Sequence, residues 1–190
     1  MIAYIVTKNS FDAQIIATVL PKNWLKQVEI IPAGDLSGVK SFASSLASSF
    51  QLPIVIVFDA DSLDRRKIEH RRRDIQEIVE FNNAKIPVEV ILGVPQMEII
   101  FFEDNSLLPR ILGYEPAQEL LLLAKSEPRQ VLEKLLSESK KISDRLKIIN
   151  LLTSDDIAAL RQTSLFQELI ESLQFVGLPK TDAEIDLSRV

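Results

Sequence analysis

The stretch Leu52–Asp64, LPIVIVFDADSLD, constrains the fold more than any other part of the chain. Ile54, Val55, Ile56 and Val57 are β-branched and Phe58 continues the run, which favours an extended backbone packed on both faces. A short continuous apolar run between Pro53 and a polar cluster predicts a buried central strand of a parallel sheet. Asp59 and Asp61 then fall at its carboxyl end, where open α/β sheets hold their ligands. Two carboxylates one residue apart repel each other and need compensation. A divalent cation held through oxygen is one solution. The plainer one is that one Asp caps the next helix and the other is solvated.

The segments around this strand alternate. Ile2–Thr7 reads as a first strand, followed by a helix from Ser10 to about Leu20 that Pro21 ends. Val28–Pro32 is a second strand. A loop with Gly34 and Gly38 leads to a helix over Val39–Phe50, with Phe42, Leu46 and Phe50 at four-residue spacing. Trp24, between these units, is expected to be a packing lid. A charged helix from about Leu63 to Asn82 precedes a fourth strand, Val88–Leu92. Strand–helix alternation implies right-handed β-α-β units. The fold class expected is a Rossmann-like parallel α/β sheet of about four strands. Gln96–Glu103 is expected to form a helical turn. Beyond Glu115 every apolar periodicity is helical, including Leu120–Leu123, Val131–Leu136, Ser143–Leu152, Ser154–Leu160 and Leu165–Leu173. The expected organisation is an α/β domain over 1–114, a helical extension packed on it over 115–178, and a frayed tail over 179–190.

Composition narrows the chemistry. The 190 residues include no cysteine, so disulfides, thiolate metal sites and cysteine nucleophiles are excluded, and the single histidine, His70, argues against a His-rich metal site or a histidine-based triad. No apolar stretch reaches the length of a membrane span, and MIAYIVTKNS lacks the pattern of a secretory leader, so a cytoplasmic protein is expected. A net charge of −5 means that nucleic-acid binding would need a local basic patch.

Four features occur in a fixed order: Thr7-Lys8-Asn9-Ser10-Phe11-Asp12 after the first strand, Pro32-Ala33-Gly34 after the second, Asp59-Ala60-Asp61-Ser62 after the third, and Gly93-Val94-Pro95-Gln96-Met97-Glu98 after the fourth. Over about residues 1–105 this order resembles the topoisomerase–primase (Toprim) domain, also found in OLD-type nucleases and small bacterial Toprim-like proteins. Val94–Phe102 looks like the V-P-x-x-E-x-x-F stretch of the small members. The resemblance implies that Asp59 and Asp61 match the family's magnesium-binding D-x-D. Asp12 matches an aspartate of its first acidic motif, and Glu98 is a further candidate acid. Asp12, Asp59, Asp61 and Glu98 are thus the candidate catalytic residues, Asp59 and Asp61 the candidate metal ligands, and weakly held magnesium the implied cofactor. Lys8 stands where the family has glutamate, a change of two charge units. One unit pair at ~5 Å and an effective dielectric near 20 is worth roughly 3 kcal/mol, enough to weaken a dication site. The Lys8 ammonium could instead neutralise Asp59 or Asp61, or grip a phosphate. The phosphatase motif D-x-D-x-[TV] is a competing reading of the same residues, but position 63 is Leu and no later Gly-Asp loop supports it.

Asp64–Arg73 is the strongly basic run, and Arg65, Arg66, Arg72 and Arg73 are candidates to contact a phosphate backbone. The alternative is a solvated helix face with i,i+4 pairs. His70 is expected to be exposed. Three functions stay open: a degenerate metal- or phosphate-binding module in nucleic-acid transactions, an active magnesium-dependent nuclease-like phosphodiesterase, or a non-catalytic protein-interaction module. The partners expected are nucleic acid or a nucleotide, or a protein or second copy docked on the C-terminal helices.

Overall fold

A computed structural model describes residues 1–82, 85–104, 106–142 and 144–179. Four strands form one parallel sheet: β1 (Ala3–Thr7), β2 (Val28–Pro32), β3 (Ile54–Asp59) and β4 (Val88–Gly93), in the order β2-β1-β3-β4. β3 lies inside the sheet, with Tyr4 opposite Ile54 on one side and Ile54 opposite Val88 on the other. All six of its residues are buried, as its unbroken apolar run requires.

The two sheet faces are covered differently. Helix α1 (Ser10–Val19) lies on one face, where Phe11, Ile15, Ile16 and Val19 join Ala3, Ile5, Val55 and Val57 in one core cluster. Helices α3 (Leu36–Phe50) and α4 (Arg65–Asn82) cover the other, where Val39, Ala43, Leu46, Ile75 and Val79 meet Tyr4, Val6, Ile54 and Ile56. The chain therefore changes faces between the units that flank β1 and β3, which opens a crevice at their carboxyl ends. The short α2 (Lys22–Leu25) follows Pro21 and buries Trp24 completely, so this residue is core rather than a lid.

After β4 a 3-10 segment (Met97–Phe102) leads into α5 (Leu107–Leu112), α6 (Gln118–Leu123), α7 (Pro128–Glu138), α8 (Arg145–Asn150), α9 (Ser154–Arg161) and α10 (Ser164–Phe175). Their apolar residues, among them Val131, Leu135, Ile148, Phe166 and Leu169, belong to the same cluster as α1 and β1. The C-terminal helices thus supply much of one sheet face's cover. Helix α6 buries none of its residues, and Leu122 and Leu123 are exposed. No helix among the described residues is long and apolar enough to cross a membrane. Ser143 and the tail beyond Pro179 lie outside the described residues.

The phase of α3 differs from the four-residue pattern of Phe42, Leu46 and Phe50. The helix buries Val39, Ala43, Leu46 and Ala47, while Phe42 and Phe50 are exposed. Small residues let the helix sit close to the sheet, and the two large rings are left at its rim. Phe50 retains a tilted contact with Tyr4, 5.7 Å between ring centroids.

Arg72 of α4 ties three elements together. It donates to the Val90 carbonyl of the edge strand β4 and to Glu168 of α10, the latter at 2.6 Å. Covering the backbone of an edge strand in this way limits its pairing with other chains. Arg72→Ala is expected to lower unfolding free energy by about 1–2 kcal/mol in a urea titration, since a buried carbonyl loses its partner along with a half-exposed ion pair. An unchanged midpoint would show that the tie contributes nothing.

Candidate functional site

The site grows from three loops at the carboxyl ends of β1, β3 and β4. After β1, Asn9 caps α1: its side chain accepts from the Asp12 amide and its Nδ2 donates to Asp12 Oδ2, both at 3.0 Å. This reciprocal pair holds Asp12 inward at 2% exposure, and its second oxygen, Oδ1, has no partner among the described residues. Burial, reinforced by the charges of Asp59 and Glu98, pushes the Asp12 carboxyl up to about 7 against the opposing pull of Arg129 and Arg145.

Asp59 is the last residue of β3 and faces Gly93, the last of β4. A Cβ at Gly93 would lie 2.7 Å from the Met97 nitrogen, so only glycine allows the following turn to fold back this closely. That turn brings the Met97 N–H to Asp59 Oδ1 at 2.9 Å. It also places Glu98, fully buried, beside Asp59. The Ala60 and Asp61 amides donate to the Gly93 and Pro95 carbonyls, zipping the two loops together.

Three cations close the site. Lys8 Nζ lies 2.8 Å from Asp59 Oδ2 and 5.4 Å from the centre of the Phe58 ring. Arg129, in the first turn of α7 after Pro128, spans both acids. Its Nη2 meets Asp59 Oδ2 at 2.7 Å, and its Nε and Nη2 fork onto the two oxygens of Glu98 at 2.8 and 3.1 Å. Arg145, opening α8, reaches Glu98 Oε1 at 2.9 Å and covers the Phe11 ring at 5.0 Å. Burial alone would raise Asp59, but its bonds from Arg129, Lys8 and the Met97 amide outweigh burial and hold the carboxyl below the usual range. Burial likewise disfavours the Arg129 charge, and the two carboxylates more than offset it, so its proton is held more tightly than usual.

Asp12, Asp59 and Glu98 are therefore brought together and Asp61 is not. Asp61 takes a left-handed backbone, φ 50°, and its carboxylate pairs with Arg71 at 2.7 Å on the exposed side of the loop. The arrangement does not fit magnesium shared by Asp59 and Asp61, which needs carboxylate oxygens turned to a common point. Asp59 Oδ1 is taken by an amide, Asp59 Oδ2 by two cations, and both Glu98 oxygens by arginine. No group of three acidic or histidine side chains among the described residues is placed to hold a metal ion.

The four candidate arginines of α4 separate. Arg65, Arg66 and Arg73 are exposed, whereas Arg72 is the partly buried tie to Val90 and Glu168. Arg72 is thus committed to the fold, and its reversal to Glu would disturb structure before it reported on any ligand. His70 is exposed. The residues that sequence reasoning missed are Arg71, Arg129 and Arg145. Arg71 carried a weak signal, since it lies in the basic run. Arg129 and Arg145 lie 31 or more residues from the acids they meet and carried none.

No protein-family model matches the chain, and no curated protein matches it. Among solved structures it is similar to the C-terminal region of the Xanthomonas campestris pv. campestris OLD protein. The two are 16% identical, with a TM-score of 0.46, over 91% of this chain and 96% of that one.

Proposed function

We propose that this chain is a degenerate Toprim-like module that binds phosphate-bearing ligands in nucleic-acid transactions and does not use Asp59 and Asp61 for metal-dependent chemistry. The observation that carries this reading is Arg129, which joins Asp59 to Glu98 in the space between them. With Lys8 and Arg145 it sets three cations against the two acids Asp59 and Glu98. A third acid, Asp12, holds its proton up to about pH 7. The cationic side chains are 21–30% exposed while Asp59 and Glu98 are 0–1% exposed, so the charge that reaches solvent here is positive. Such a surface attracts phosphate even on a protein of net charge −5.

One observation favours the second reading, an active magnesium-dependent nuclease. A buried carboxyl with a raised pKa beside other acids, as at Asp12, is the kind of group that general acid–base chemistry uses. Fluorescence anisotropy with labelled single-stranded and duplex DNA, with and without Mg²⁺, separates the two. Binding is expected at ~50 mM salt, unchanged by Mg²⁺, with no cleavage and an affinity that falls with log–log slope of about −0.9 per duplex phosphate neutralised. Mg²⁺- or Mn²⁺-dependent cleavage that disappears in Asp59→Asn would instead establish the nuclease. Failure to bind any nucleic acid would remove the phosphate reading and leave a protein partner.

A further inference from the structure

A second place on the molecule has the makings of a ligand site. A cleft of about 680 Å³ lies between Leu36 at the start of α3, the loop Ala60–Asp64 after β3, and the first turns of α4. It is separate from the buried Asp59–Arg129–Glu98 cluster and opens at the carboxyl end of the sheet. Its volume is that of a small-molecule pocket and exceeds the needs of an inorganic ion.

The charges in this cleft sort into committed and free. Asp61 is paired with Arg71 at 2.7 Å, and Asp74 is paired with Lys40 of α3. Asp64 caps α4, accepting from the Arg66 amide at 2.8 Å and the Lys67 amide at 3.3 Å. The helix N-terminus is therefore already satisfied and is not what remains to bind a ligand. Arg66, Lys67 and His70 line the same cleft, and their side chains have no ion-pair or hydrogen-bond partner among the described residues. At positions i, i+1 and i+4 they share one side of the helix. The left-handed backbone at Asp61 turns the loop so that its carboxylate fixes Arg71 beside them. Leu36, half-buried at the start of α3, gives the facing side of the cleft its apolar surface.

We propose that this cleft binds the terminal phosphate of a nucleotide, with Arg66, Lys67 and His70 gripping the phosphate and Leu36 packing against the ring system behind it. Two permanent positive charges match a phosphate monoester dianion, which a diester inside a strand does not offer. Arginine supplies a fork for two of its oxygens and lysine a point charge. The proposal rests on the phosphate-binding reading above and adds to it a second place, one that reads the terminal phosphate. The same chemistry has two sources, a free mononucleotide or the phosphorylated end of a strand.

The test is calorimetric titration of the full chain with AMP and with adenosine at ~50 mM salt, and anisotropy with a short single strand carrying either a 5′-phosphate or a 5′-hydroxyl. AMP should bind and adenosine should not, or the 5′-phosphorylated strand should bind at least tenfold more tightly than its hydroxyl twin. The ligand that binds identifies the source. Arg66→Ala/Lys67→Ala should weaken that binding at least tenfold. The charge-matched control Lys134→Ala/Lys147→Ala, on exposed positions of α7 and α8, should leave it within twofold. Strand binding that ignores the 5′-phosphate and survives Arg66→Ala/Lys67→Ala would overturn the cleft while leaving the phosphate-binding module standing. No binding of AMP or of either strand would overturn both.

Discussion

Replacing Arg129 with alanine should destabilise the protein by about 3–5 kcal/mol, the range for removing one partner of a buried ion pair. The cost is not the value of the bond itself. It is the penalty of leaving Asp59, 1% exposed, and Glu98, fully buried, with less counter-charge in a place where water cannot reach them. Lys8 still faces Asp59 and Arg145 still faces Glu98, which puts the expectation toward the lower end. Arg129→Lys retains the charge but cannot fork across two acids, so it should fall between wild type and alanine. Adding Glu98→Gln to Arg129→Ala should recover part of the loss, because one stranded charge is removed. Chemical denaturation of the four proteins measures this. A loss below ~1 kcal/mol for Arg129→Ala would mean that α7 is held by Val131, Leu132, Leu135 and Leu136 alone, and that the cluster is not a structural keystone.

The same geometry explains what one side-chain exchange at position 8 can do. Lys8→Glu would remove one cation from Asp59 Oδ2, but Arg129 would remain on that oxygen at 2.7 Å. A glutamate at position 8 is therefore not expected to produce a dication site by itself. The cation that occupies the space came from a helix 70 residues downstream, not only from the motif.

How far the sequence reached follows from the range of the interactions involved. β3 was legible because four β-branched residues in a row leave few other conformations, and the carboxyl-end position of Asp59 followed from it. The Lys8–Asp59 contact was legible only as one alternative, beside a contact with Asp61 or a grip on phosphate, and the pairing of β1 with β3 decides between them. Lys8 follows Thr7 at the end of β1, Asp59 ends β3, and neighbouring parallel strands bring their ends together. The phase of α3 was not, because four-residue spacing of large rings competes with the close approach that Ala43 and Ala47 allow. The face that small residues bury is decided by the sheet. Periodicity in α7 showed which residues it buries, but not where its first turn would dock, so Arg129 could not be placed. Asp61 looked equivalent to Asp59 in the D-x-D. A left-handed backbone at Asp61 separates them, and nothing in the letters D-A-D announces it.

Asp12 should make the stability of the protein depend on pH with a sign opposite to that of an ordinary salt-bridged carboxylate. Its ordinary value is 3.8, and in the folded protein it is pushed up to about 7, first by burial and then by the charges of Asp59 and Glu98. Between these values the folded state keeps a proton that the unfolded chain has lost. The unfolded state binds fewer protons there, so stability falls as pH rises, by about 1.4 kcal/mol per unit, and levels off above about 7. The contribution is fully present below pH 3.8 and is lost by the time pH passes the folded value. Asp59 runs the other way. Its lowered pKa contributes stability above its ordinary range that is lost as pH falls through the folded value. Asp12→Asn isolates the first effect, since an amide can still accept from Asn9 Nδ2 and carries no charge to bury. Urea titrations at pH 5 and pH 8 should show Asp12→Asn gaining roughly 2–3 kcal/mol on wild type between the two conditions, most of it below pH 7. A constant difference across that range would mean that Asp12 is ionised throughout and that Arg129 and Arg145, not protonation, balance its charge.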